Sequence, residues 1–249
     1  MKISNNGLFF IVLFFSFYGS AYADVDLTNV SFDYRHEYRV RDRTHFDRLL
    51  FSTTLPANYS FSADVKFKTG GSNPVDKYYQ DEVLNAVEMT LAKTYQIGNW
   101  KIIPLIQPEF NSSRTEWKFG VSPWYTINEH WSIGGLYRLE LTDYAHDSVC
   151  DTVGVVCTTN RHRTVNRVDG YFSYSQDDWQ LVYKIIYQHG DEDLFANKHY
   201  NYEQELQFNY FMGDKKEWSP YITFGDINRS SISSERQLRL RVGVVYAFK

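Results

Sequence analysis

From Gln237 to Phe248 the chain alternates without a break. Leu238, Leu240, Val242, Val244, Tyr246 and Phe248 hold the even positions; Gln237, Arg239, Arg241, Gly243, Val245 and Ala247 hold the odd ones. A period of two puts the even side chains on one face of a strand and both arginines on the other. An apolar, aromatic face backed by guanidinium groups makes no sense in a sandwich core. It makes sense where lipid lies on one side of the sheet and water on the other.

The alternation recurs along the chain. Val30, Phe32, Tyr34, His36 and Tyr38 are backed by Asp33, Arg35, Glu37 and Arg39, and Tyr59 to Phe67 by Asp64, Lys66 and Lys68. Trp131 to Leu141 hide Arg138 and Glu140, and Trp179 to Tyr187 hide Gln180, Lys184 and Gln188. Tyr202, Leu206, Phe208 and Tyr210 face away from Glu203, Glu205, Gln207 and Asn209. Segments 46–55, 84–96, 100–111, 116–127, 163–174 and 218–226 complete a set of twelve with weaker periodicity. Short turns near Pro56-Ala57-Asn58, Gly98-Asn99, Asn128-Glu129-His130, Ser175–Asp178 and Gly213–Glu217 alternate with longer connections at 69–83, 142–162 and 189–199. The sequence predicts an all-β fold, a transmembrane antiparallel up-and-down β-barrel of twelve strands, with long loops outside and both termini periplasmic. Trp100, Trp131, Trp179 and Trp218 each follow a short turn, where indoles form a periplasmic aromatic girdle.

Composition agrees once alternation is allowed for. A mean hydropathy of −0.46 hides a chain that is 43% apolar and 18% aromatic. The aromatic content argues against disorder. Residues 24–249 contain no apolar run long enough for a transmembrane helix. The net charge of −4 gives no blanket attraction to nucleic acid, so none is expected as a partner.

Residues 1–23 read as a cleaved secretory signal. Lys2 precedes an apolar core from Leu8 to Tyr18, and Ala21-Tyr22-Ala23 places cleavage between Ala23 and Asp24. The rest, 24–249, is a single domain. Its two cysteines, Cys150 and Cys157, read in an exported protein as a disulfide closing a small loop. No recognised ligand spacing joins them to His146 or His162, so no metal is expected.

The strand facing then assigns the lumen. Its basic residues are Arg35, Arg39, Arg48, Lys66, Lys68, Lys118, Arg138, Arg163, Arg167, Lys184, Arg239 and Arg241. Acids share the wall at Asp33, Glu37, Asp64, Glu88, Glu109, Glu140, Asp169, Glu203 and Glu205, while most of the excess acid falls in loops and turns. Each arginine has two readings: a contact for a passing anion, or half of an ion pair that holds the wall, as Arg138 with Glu140 or Arg35 with Glu37. A guanidinium matches a carboxylate bidentately and stays charged at every working pH. Charged walls are how pores select the sign of what passes. A twelve-strand lumen is wider than a side-chain-filled eight-strand barrel and narrower than a sixteen-strand pore.

The C-terminal residues also carry a resemblance. Ser219-Pro220-Tyr221, Phe224-Gly225-Asp226, Arg236 through Arg241-Val242-Gly243 and the closing Tyr246-Ala247-Phe248 resemble the end of the oligogalacturonate-specific porin (KdgM) family. Asp33-Tyr34-Arg35-His36-Glu37-Tyr38 is similar to that family's first strand, and Tyr137-Arg138-Leu139-Glu140 to its middle strand. The sequence departs from the pattern in carrying Lys249 after the terminal aromatic. The resemblance implies a monomeric outer-membrane channel of a Gram-negative bacterium for acidic oligosaccharides, oligogalacturonate or sialic acid, with basic residues lining the pore. Passive flow without cofactor or catalysis is expected. The expected partners are the solute, outer-membrane lipid and, during biogenesis, the barrel assembly machinery.

Three other functions compete. A weakly selective small-solute pore would have its arginines neutralised by the wall acids. A barrel hydrolase would need a triad, and His146-Asp147-Ser148, three adjacent loop residues, cannot arrange nucleophile, base and orienter. A structural barrel or adhesin would have a plugged interior. A transporter is expected to show unpaired basic side chains along an open lumen.

Overall fold

The computed structural model describes residues 28–69, 82–145, 149–150, 157–158 and 162–248. Twelve long strands run in chain order: β1 (Thr28–Arg39), β2 (Thr44–Leu55), β3 (Tyr59–Thr69), β4 (Glu82–Lys93, continued by Tyr95–Ile97), β5 (Trp100–Phe110), β6 (Arg114–Thr126), β7 (Trp131–Tyr144), β8 (His162–Gln176), β9 (Trp179–Gly190), β10 (Tyr200–Tyr210), β11 (Trp218–Asn228) and β12 (Arg236–Ala247). Every strand pairs antiparallel with its sequence neighbours, and β12 returns to β1, from Ala247 opposite Ser31 to Arg239 opposite Arg39. That last pairing closes the sheet and removes its edges. The twelve alternating segments are thus the twelve staves of a barrel. The signal segment and its cleavage site at Ala23 and Asp24 lie outside the described residues, as do His146, Asp147 and Ser148.

Exposure confirms which face is which. Phe32, Leu49, Phe172 and Val242 are each 51–52% exposed, whereas Glu37 is 4%, Lys118 5% and Asp169 1% exposed. This inverts the usual soluble arrangement. Covering each large apolar side chain is worth about 1.5–3 kcal/mol, so the outer face needs lipid. At one rim Trp131, Tyr174, Trp179 and Phe208 contact one another in series, as do Trp218, Tyr246, Phe248, Phe32 and Phe51, while Trp100 packs on Tyr125. All four tryptophans of the expected girdle sit at this rim.

Two features break the regular pattern. Between Glu82–Lys93 of β4 and its partner β5 only Val87–Phe110, Glu88–Glu109, Leu91–Ile106 and Ala92–Leu105 remain in register, and pairing resumes beyond Thr94 with Tyr95–Ile102, Gln96–Lys101 and Ile97–Trp100. The gaps fall at Met89 and Lys93, opposite Pro108 and Pro104, which have no N–H to give to a ladder, and at Thr90 beside them. The second break is on the outer face of β1 and β2, where a carboxylate stands among apolar neighbours. Asp47 accepts the Tyr34 hydroxyl at 2.7 Å and lies 3.0 Å from His36 Nδ1, and His36 Nε2 lies 3.1 Å from His45 Nδ1. The side chain is polar but satisfied.

At the rim opposite the girdle, connections 40–43 and 111–113 are as tight as the turns at the girdle rim. Asn111 Oδ1 closes the second by accepting the N–H groups of Ser113 and Arg114, each at 2.9 Å. The expected 142–162 loop is shorter than the periodicity suggested, because β7 and β8 continue to Tyr144 and His162. Within it, Val149–Cys150 pairs antiparallel with Cys157–Thr158, placing Cys157 opposite Cys150 in the backbone register.

Candidate functional site

All twelve basic residues assigned to the lumen lie on strand positions of inward parity, and seven of them stand directly opposite another base: Lys66 opposite Arg48, Arg48 opposite Arg35, Arg39 opposite Arg239, and Arg167 opposite Arg138. Like charges directly opposite on neighbouring strands repel, so each such pair needs compensation. Most of it comes from acids on adjacent positions. Glu37 holds Arg39 at 3.0 Å and Arg241 at 2.7 Å, and Arg241 also reaches Glu205 at 2.9 Å. Arg239 is paired with Glu205 and, at 3.4 Å, Glu203; Arg48 is paired with Asp33.

Across the barrel the Nζ atoms of Lys66 and Lys118 both bind Glu88 and Glu109, at 2.7–3.1 Å. Gln107 links this quartet to Arg138 by donating to Glu88 at 2.8 Å and accepting from Arg138 Nη1 at 2.7 Å. Arg138 Nε in turn donates to Glu140 at 2.7 Å. Asp169 takes Arg167 at 2.7 Å and Lys184 at 3.1 Å.

The expectation of unpaired bases along the lumen is therefore corrected for nine of the twelve, Arg39, Arg48, Lys66, Lys118, Arg138, Arg167, Lys184, Arg239 and Arg241, each ion-paired to a wall acid. The physical reason is desolvation: a base packed against a low-dielectric wall needs an acid beside it. Among the described residues Arg35, Lys68 and Arg163 alone of the twelve have no ion pair or hydrogen bond. The Arg138–Glu140 pair that the sequence suggested is present. The Arg35–Glu37 pair is not, because Arg39 and Arg241 have taken Glu37.

Three cavities lie in file along the interior. The outer one, about 330 Å³, is lined by Arg39, Arg163, Glu203, Arg229 and Arg239 among others. A middle one of about 210 Å³ shares Arg39 with it. The inner one, about 390 Å³, shares Arg35, Arg48 and Arg241 with the middle one and reaches Phe211 and Ser219 at the girdle end. Arginine thus lines both junctions. At the outer entrance Arg229 donates to Asp42 at 2.8 Å and also binds Glu235, and both raise its pKa; burial pushes the Glu192 carboxyl up, against the opposing pull of Arg163.

Sequence reasoning missed part of this lining. Arg114 and Glu116 lie on the inward positions of β6, 3.7 Å apart. Trp124, Tyr171 and Tyr221 also point inward. The strand period carried that information, since Trp124 shares parity with Lys118 and Tyr171 with Arg167. Aromatic residues stand on both faces of these strands, which blurred the alternation.

A family model for the oligogalacturonate-specific porin protein (KdgM) matches residues 23–248. The chain is 26% identical over 231 residues to the oligogalacturonate-specific porin KdgM of Dickeya dadantii (strain 3937), covering 90% of this chain and 94% of that one. It is 27% identical over 217 residues to the uncharacterized protein YiiY of Salmonella typhimurium, covering 87% and 89%. Among solved structures it is similar to the NanC porin, with a TM-score of 0.69 at 19% identity over 86% of this chain and 98% of that one. It is also similar to a KdgM porin in complex with disordered oligogalacturonate, with a TM-score of 0.64 at 22% identity over 88% and 99%. The structural likenesses show the fold.

Proposed function

Because the chain belongs to the oligogalacturonate-specific porin (KdgM) family and is a closed β-barrel of the Gram-negative outer membrane, we propose that it is a passive channel for carboxylated oligosaccharides of the oligogalacturonate or sialic acid kind. It works as a monomer without cofactor or catalysis, inserted by the barrel assembly machinery and driven by the solute's gradient.

The observation that carries this reading is the position of Arg35. It faces Arg48 directly across the strand pair, has no ion pair among the described residues, and lies where the middle and inner cavities meet. An unpaired guanidinium beside two others leaves donors for a passing carboxylate, which binds such forks in two parallel hydrogen bonds. Arg163 and Lys68, likewise without an ion pair among the described residues, extend the positive field along the wall. The paired bases have a second role. They fix the wall's shape, and their side chains rearrange little when an anion passes. A general pore with fully neutralised walls remains the competing reading, and the Arg35 position weighs against it.

Single-channel current through the refolded protein in a planar bilayer under a salt gradient tests the proposal. Anion selectivity with solute-dependent block by oligogalacturonate or sialic acid is the expected result. Cation selectivity, or a folded barrel without an open channel, overturns it.

A further inference from the structure

Along the inner cavity the chemistry of the wall changes. Beside the ion pairs of Arg48 with Asp33 and of Arg241 with Glu205 stands a ladder of amides and hydroxyls. Gln180 donates to Ser173 at 3.0 Å, Asn209 to Gln180 at 3.2 Å, Gln207 to Asn209 at 2.8 Å, and Thr223 to Gln207 at 3.2 Å. Beside this ladder, register sets Trp124, Gly134 and Tyr171 next to one another on β6, β7 and β8. A Cβ at Gly134 would collide with the indole, so the indole lies across the glycine. There it meets the Tyr171 ring at 5.1 Å with the planes 29° apart. Trp124 Nε1 donates to Ser122 Oγ at 3.0 Å, and Ser122 Oγ donates to the Gly135 carbonyl at 2.7 Å, which pins the indole to the wall.

The same device recurs on β11 and β12. The Tyr221 ring covers Gly243, where a Cβ would collide with it, and its hydroxyl donates to Asp33 at 2.9 Å. Tyr171 and Tyr221 line the inner cavity together with Gln180, Gln207 and Asn209, and with Arg35, Lys184 and Arg241. A pair of glycines that let large rings lie against the wall of a water-filled channel has no need in a merely charged tube.

We infer that the inner cavity is a pyranose subsite, in which Tyr171, backed by Trp124, and Tyr221 take the C–H face of a sugar ring, the amide ladder takes its hydroxyls, and the unpaired Arg35 takes its carboxylate. The inference rests on the proposed channel function and deepens it. The outer part of the lumen recognises charge, and the inner part recognises the ring that carries it. Aromatic faces favour C–H surfaces as they favour other weakly polar partners, and the flanking amides supply the donors and acceptors that fix orientation.

The test compares three probes in planar bilayers: trigalacturonate, citrate as a polycarboxylate without a ring, and maltotriose as a ring without charge. In the Trp124→Leu/Tyr171→Leu variant the residence time of trigalacturonate in the pore is expected to fall about tenfold, with citrate block unchanged and any weak maltotriose block lost. Trp124→Phe keeps a ring and is expected to retain most of the residence time. Should the double variant not refold, Gly134→Ala displaces the indole without removing it and is expected to shorten trigalacturonate residence selectively. A folded variant that changes trigalacturonate and citrate equally, or changes neither, overturns the subsite alone. A wild-type channel that trigalacturonate never blocks overturns the proposed function and the subsite with it.

Discussion

Replacing Arg35 with glutamine tests the lumen reading most sharply, because the structure separates its electrostatic role from any structural one. Arg35 has no ion pair to lose, so the substitution strands no carboxylate. Like other changes away from a packed network, it is expected to shift stability by less than about 0.5 kcal/mol. Its charge stands on the lumen wall. Taking a permeating carboxylate at about 4 Å in a water-filled pore, the attraction lost is about 1 kcal/mol, or roughly fivefold in local anion concentration. At 0.1 M salt the Debye length of about 10 Å leaves that interaction largely unscreened.

Reversal potentials under a potassium chloride gradient should therefore report a drop of about fivefold in anion preference, in a barrel that melts as the wild type does. Arg48→Gln is the matched control. It removes the neighbouring charge but leaves Asp33 without its base, so it should also destabilise the barrel, by up to about 3 kcal/mol. An Arg35→Gln channel that folds, conducts and keeps the wild-type permeability ratio refutes the reasoning.

Three further outcomes are expected. Replacing Arg239 and Arg241 together with serine should lower anion preference and also lower the melting temperature seen by circular dichroism, since Glu203, Glu205 and part of the hold on Glu37 lose their bases. The Glu192 carboxyl, with its pKa raised by burial, is neutral below the affected range and opposes folding once ionised. Glu192→Gln should therefore stabilise the protein slightly at pH 8, by less than about 0.5 kcal/mol, and not at pH 4; equal effects at both would contradict the assignment. Cys150 and Cys157 should be alkylated only after reduction. The Cys150→Ser/Cys157→Ser variant should lose about 2–3 kcal/mol locally in its loop while the barrel melts unchanged.

The barrel itself was legible because a period of two is a local property. The row Leu238 to Phe248 shows its two faces without knowledge of any partner strand, and each girdle tryptophan is marked by the turn before it. The electrostatics of the lumen were not local. Glu37 stands two residues from Arg35 in sequence, yet its carboxylate is held by Arg39 and by Arg241, 204 positions away. Which acid reaches which base depends on the stagger of β12 against β1, and no single strand carries that information. Asp47 shows the same limit on the outer face, where its partners Tyr34 and His36 come from the neighbouring strand. Trp124 escaped for a different reason: its outward neighbour Tyr125 makes the segment look apolar on both sides.

The proline-interrupted pairing of β4 and β5 gives the barrel a direction of compliance. A closed hoop under outward pressure yields at its weakest joint, and here the joint opposite Pro104 and Pro108 lacks bonds that the other joints have. A bulky solute pressing through the narrow middle would ovalise the cross-section at this stave while the rest of the hoop stayed rigid. The aperture of such a channel is then an elastic quantity, set by two imino acids on the lipid side of the wall as much as by the side chains that line the passage.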